Sequence, residues 1–139
     1  MQIFLKTFFV IVLFYVPIIH AGGESENLES EFAKCGEFTS YSEIEFCFSQ
    51  TYSQSDKFLN REYSQLIQYL DGLENKIHKK RLVNTQRTWI KFRDSDCKFY
   101  SDGQAVRLNK CLSERTIQRL KELESFNVNY AMGCNGCPW

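Results

Sequence analysis

The sequence contains little histidine, proline or glycine, and these shortages exclude several kinds of protein. Only two of its 139 residues are histidine and only two are proline. No G-x-S-x-G nucleophile motif and no glycine-rich phosphate loop is present. The formal net charge is zero, which argues against bulk nucleic-acid binding and against a disordered polyelectrolyte. We therefore predict one globular domain that is not an enzyme, needs no cofactor or metal, and binds no nucleic acid.

The N-terminal segment has the three parts of a secretory signal. Lys6 supplies the positive start, residues 8–19 form an apolar run interrupted only by Pro17, and residues 20–23 end the run with His-Ala-Gly-Gly. The run is too short for a membrane-spanning helix, which needs roughly 20 apolar residues. We predict a signal peptide over residues 1–21, cleaved after Ala21, with cleavage after Gly23 as the alternative. The product is exported, periplasmic or secreted, and has no stable membrane span.

Loss of the signal removes His20 and leaves His78 as the only histidine of the exported chain. His78 lies within the sequence Lys-Ile-His-Lys-Lys, which predicts a position on a solvated helix surface. Asp94 and Asp96 are two positions apart, so on a helix their carboxylates point in different directions. Neither feature indicates a catalytic site.

Charge is distributed unevenly along the exported chain. Residues 22–45 contain seven acids and one base, whereas residues 76–121 contain thirteen bases and four acids. We predict that residues 22–38 form an acidic N-terminal arm that is solvated and mobile. The basic stretch is predicted to form solvated helix faces. An anionic partner such as lipid or a cell-wall polymer is the alternative.

Apolar residues recur at steps of three and four in three segments, which predicts three helices. The first begins after Thr39 or Ser40 and ends at residues 71–72, the second covers about 73–100, and the third covers about 105–126. Short connections make neighbouring helices antiparallel. The fold class is therefore predicted as all-α, a small antiparallel three-helix array with disulfide staples, occupying residues 39–126.

Six cysteines in a short chain indicate an oxidising compartment. They allow fifteen connectivities, among which proximity favours Cys35–Cys47 and Cys97–Cys111. The remaining C-x-x-C, Cys134 and Cys137, lies in a C-terminal tail, residues 127–139. No chain follows it to form the helix of a thioredoxin-type centre, so a local disulfide is predicted. An intermolecular or redox-active pair is the alternative.

Three sequence elements together resemble the LprI-like lysozyme-inhibitor family. They are L-N-x-x-Y at residues 59–63, Q-R-x-W-x-x-aromatic-R-D-x-x-C at residues 86–97, and C-x4-T-x2-R-x3-L at residues 111–123. The second element is the most specific. The resemblance implies an all-helical fold, export and inhibition of lysozyme. Its motif residues besides cysteine and leucine are Asn60, Tyr63, Gln86, Trp89, Arg93, Asp94, Thr116 and Arg119.

These motif residues are predicted to be structural. Gln86, Trp89, Arg93 and Cys97 share one helix face, where a buried arginine requires an amide, a hydroxyl or a carboxylate as partner. The predicted function is therefore protein binding elsewhere on the surface, as an inhibitor that occludes the cleft of a lysozyme-type enzyme. One alternative is a non-catalytic envelope adaptor contacting anionic lipid or glycan. A weaker one is a thiol-redox accessory that uses the tail cysteines. No oligomeric state is predicted.

Overall fold

The fold is that of a computed structural model, which describes the backbone of residues 23–131 and the side chains of residues 23–126. It is all-α, as predicted, but contains four helices and not three. They are α1 (Glu24–Cys35), α2 (Tyr41–Gly72), α3 (Ile77–Ser101) and α4 (Ala105–Ala131). The antiparallel order of neighbours stays a prediction. The predicted signal peptide and the Cys134–Cys137 pair lie outside the described residues.

Helix α1 corrects the prediction of a solvated, mobile arm. Its residues Ser25, Leu28 and Cys35 are buried, and α1 contacts both α2 and α4. Ion pairs reinforce this packing, with Lys121 lying 2.9 Å from Glu29. Glutamates in the first turn suit the positive end of a helix dipole. The sequence did not predict this helix, because its buried stripe is narrow. The seven acids of residues 22–45 favoured a solvated segment instead.

Helices α2 and α4 form the centre of the fold. The core cluster combines leucines of α2 with apolar residues of α4, and α1 adds one leucine; its members are Leu28, Leu59, Leu66, Ile117, Leu120 and Leu123. Burial of these side chains supplies the main stabilising free energy, at about 1.5–3 kcal/mol each. Helix α4 contacts every other helix, whereas α1 and α3 do not touch each other among the described residues.

Helix α3 is attached to the fold in a different way. Its buried residues are Gln86, Arg93, Cys97 and Ser101, so none is a large aliphatic residue. Leu82 and Trp89 pack against the core while only partly buried. The predicted break at residues 101–103 is confirmed, because Asp102 and Gly103 have φ of 48° and 75° and turn the chain into α4. Helix α4 then runs to Ala131, beyond the predicted end at residue 126.

Both disulfides favoured by proximity are present. Cys35–Cys47 joins the end of α1 to the first turns of α2, and Cys97–Cys111 joins α3 to α4 across the turn. Each therefore holds two consecutive helices together at the bridged positions. No helix among the described residues is long and apolar enough to cross a membrane.

Candidate functional site

Arg93 is the centre of a buried polar network that connects three helices. Its guanidinium donates to Asp56 Oδ1 of α2 at 3.2 Å, to Asp94 Oδ1 at 2.9 Å and to Thr116 Oγ1 of α4 at 3.3 Å. The Arg93 side chain is only 7% exposed, whereas both carboxylates retain contact with water. The buried charge is therefore compensated, which is the condition for burying it at all.

A second arginine completes the network. Arg119 of α4 donates to Gln86 Oε1 at 3.0 Å and pairs with Glu122 at 2.6 Å. The Trp89 ring lies near both guanidinium groups, with its centroid 5.0 Å from Cζ of Arg93 and 5.9 Å from Cζ of Arg119. These contacts are within the range of cation–π attraction. The specific motif of α3 therefore builds the interface between α3 and α4.

The remaining motif residues support the network indirectly. Asn60 donates from Nδ2 to the backbone oxygen of Asp56 at 2.8 Å and to its Oδ2 at 3.0 Å, so it orients the carboxylate that accepts from Arg93. Tyr63 packs against the core cluster. The tyrosine beside Arg93 is Tyr52, whose ring centroid lies 5.6 Å from Cζ of Arg93. Sequence reasoning missed both Tyr52 and Asp56.

The environment of Tyr52 keeps its phenol neutral. Burial raises the pKa of Tyr52, although the positive charge of Arg93 lowers it in part. Since the ordinary pKa of tyrosine is already about 10, the phenol is protonated at neutral pH. Tyr52 therefore acts as a packing partner for the guanidinium and not as a base.

Beside Arg93 the surface opens into a cavity of about 830 Å³. The buried network forms one wall, the turn between α3 and α4 forms the second, and α4 contributes an apolar floor; its lining includes Tyr52, Arg93, Lys98, Phe99, Ala105, Leu108 and Leu112. The donors of Arg93 already have partners on the protein. Lys98 and Asp102 also line the cavity, so its polar groups include an exposed ammonium and an exposed carboxylate beside the paired Arg93.

A second concave surface lies between α1 and α2, beside the Cys35–Cys47 disulfide, and is called here the α1–α2 groove. It has a volume of about 440 Å³ and is lined by Glu31, Lys34, Phe38, Glu43, Phe46, Cys47, Gln50, Thr51 and Gln54. Phe46 is 65% exposed and Phe38 44% exposed. Tyr41, which is 59% exposed, begins α2 close by in sequence. Acidic and aromatic side chains therefore share one surface.

The described residues contain one group of potential metal ligands, Asp96 with Cys97 and Cys111. Both sulfur atoms belong to a disulfide, and a thiolate is the form of cysteine that binds a metal. Asp96 is paired with Arg115 at 3.1 Å. This group therefore offers no ligand set.

The comparison with protein families defines the class of this chain. A family sequence profile described as "Lysozyme inhibitor LprI" matches residues 35–123, which is more than half of the chain. The chain belongs to the LprI lysozyme-inhibitor family, whose members are exported inhibitors and not enzymes. No curated protein and no solved structure matches it. The family match contains the whole Arg93 network but begins at Cys35, so Glu31 and Lys34 of the α1–α2 groove lie outside it, whereas Glu43 lies within it.

Proposed function

We propose that this protein inhibits a lysozyme-type muramidase by covering its substrate cleft, with the α1–α2 groove as the contact surface. Family membership supports the inhibitor role, and the exposed acidic and aromatic side chains of the α1–α2 groove support its choice as the contact surface. Many lysozymes are basic, and an acidic surface accelerates association with a basic partner. The basic stretch of residues 76–121 disfavours the same partner, so the contact lies away from α3.

The exposed aromatic residues supply the affinity in this proposal. Buried aromatic anchors dominate binding energy in protein interfaces, while charges at the rim act mainly on the association rate. Phe46 is 65% exposed, so most of its side chain is open to a partner. The Cys35–Cys47 disulfide holds both walls of the groove in place, which reduces the ordering cost of binding.

Export is part of the proposal. The protein acts after removal of residues 1–21, in an oxidising compartment where the two disulfides persist. Inhibition involves no chemical step, because the inhibitor only occupies the space that the glycan substrate needs.

The decisive variant is Phe46→Ser. We expect it to raise the concentration required for half-inhibition of cell-wall lysis by at least about tenfold, since it removes a central aromatic anchor. Phe99→Ser is the matched control, because Phe99 is 79% exposed but lies on α3. Both variants should keep the far-ultraviolet circular dichroism of the parent. If both variants lose inhibition equally, or if neither loses it, the assignment of the contact surface to the groove is contradicted.

A charge variant tests the same surface through kinetics. Glu31→Gln combined with Glu43→Gln is expected to slow association several-fold at low salt and to change dissociation little. Surface plasmon resonance against immobilised lysozyme measures both rates. If the parent protein binds none of several lysozyme types, the inhibitor function itself is wrong, and not only its location.

A further inference from the structure

Helix α3 directs one long face away from the rest of the fold. Its four buried residues lie on the opposite side of the helix, and α1 does not reach it. Two neighbouring stripes run along the outward side. One contains the cations Lys80, Arg87, Lys91 and Lys98, and the other contains Phe92 and Phe99. We call these six residues the α3 outer face.

The spacing of these residues places them in two continuous rows. Steps of seven, four and seven positions keep the four cations within one narrow angular sector of an α-helix, over about 27 Å of its length. The two phenylalanines are seven positions apart and occupy the adjacent sector. All six residues are exposed, with Phe92 at 56% and Phe99 at 79%.

The charge of the α3 outer face is not neutralised by the protein. None of the four cations takes part in a salt bridge among the residues whose side chains are described. Asp94, three positions after Lys91, has its carboxylate paired with Arg93 at 2.9 Å. The acids of α1 lie on a helix that does not contact α3. The four cations of the α3 outer face therefore lie apart from the acids of α1.

We propose that the α3 outer face binds the surface of an anionic phospholipid bilayer. The helix lies parallel to the membrane, the four cations contact lipid phosphates, and Phe92 and Phe99 enter the boundary between headgroups and acyl chains. Basic and aromatic residues on adjacent sectors are the pattern of interfacial helices. The phenylalanines favour a bilayer over a soluble polyanion, because a glycan polymer offers them no apolar medium.

This binding is independent of the proposed inhibition. It uses α3, whereas the α1–α2 groove belongs to two other helices. The attachment in this proposal is peripheral, because it uses only side chains on one face of α3. A protein held by α3 keeps its groove available to a soluble partner.

The test is co-sedimentation of the full exported chain with lipid vesicles. Vesicles of phosphatidylcholine alone are compared with vesicles of phosphatidylcholine and phosphatidylglycerol in equal parts. We expect binding only to the anionic vesicles, and weaker binding as salt is added.

Each cation near an anionic surface raises the partition coefficient about fivefold, so Lys91→Gln with Lys98→Gln should lower it about 25-fold. Phe92→Ser with Phe99→Ser should lower it at least about tenfold.

The matched control removes two exposed aromatics from another part of the protein. Tyr41→Ser with Phe46→Ser should leave vesicle binding unchanged, while the two α3 variants should leave inhibition of lysozyme unchanged. Equal binding to neutral vesicles contradicts the proposal. An unchanged partition coefficient in the phenylalanine variant also contradicts it. Full competition by soluble polyglutamate would then show that binding is electrostatic attraction to any polyanion.

Discussion

Alanine at Cys35, Cys47, Cys97 and Cys111 together is expected to lower the free energy of unfolding by about 6 kcal/mol. The two disulfides close loops with sequence separations of 12 and 14 residues. In the chain-entropy description, closing a loop of this size lowers the entropy of the unfolded chain and so stabilises the fold by about 3 kcal/mol. Small domains have total stabilities of only about 5–15 kcal/mol. The quadruple variant is therefore expected to be close to unfolding at physiological temperature, and urea titration measures the difference.

Variants that lack a single disulfide separate stability from function. Each should lose about 3 kcal/mol, because the two disulfides join different pairs of helices. Only the variant that lacks Cys35–Cys47 should also inhibit less well at temperatures where it remains folded, since that disulfide borders the α1–α2 groove. A quadruple variant with the same urea midpoint as the parent would show that packing alone holds the helices.

Arg93→Ala is expected to lower the free energy of unfolding by about 3 kcal/mol. The substitution removes three hydrogen-bond partnerships and two ring contacts, and it leaves a cavity between α2, α3 and α4. The separated carboxylates Asp56 and Asp94 remain hydrated, which keeps the loss below that of a fully buried pair. Thermal and urea denaturation both report this change.

Arg87→Ala is the control for Arg93→Ala. Arg87 lies on the same helix with its side chain exposed, so its replacement should change stability by no more than about 0.5 kcal/mol. Arg93→Lys should give an intermediate loss, because an ammonium group cannot reproduce the planar fork that reaches both carboxylates. An Arg93→Ala protein as stable as Arg87→Ala but unable to inhibit lysozyme would assign Arg93 to the contact surface.

The sequence was sufficient to predict three helices and the turn between α3 and α4. The 3.6-residue period of apolar side chains and the Asp102–Gly103 break are local signals, and local signals can be interpreted without the fold. The buried face of α3 was also predictable, since Gln86, Trp89, Arg93 and Cys97 recur at steps of three and four. Their structural role follows from the partners that a buried guanidinium requires.

Other features depend on how the helices are placed relative to one another. Helix α1 was mistaken for a mobile arm because charged residues surround Leu28 and Phe32, the only large apolar residues of its stripe. Asp56 could not be assigned to Arg93 because the two lie 37 positions apart on different helices. The α1–α2 groove has no signal in the sequence, since its shape depends on how α1 packs against α2.

The polar attachment of α3 has a consequence for the exchange of its backbone amide hydrogens. A helix without a buried large aliphatic residue can separate from the core in a partial opening that costs less than global unfolding. Amides of α3 are therefore expected to exchange faster than those of α4, which contacts all three other helices. The Cys97–Cys111 link confines this opening to the N-terminal part of α3, so protection should increase from Ile77 towards Cys97.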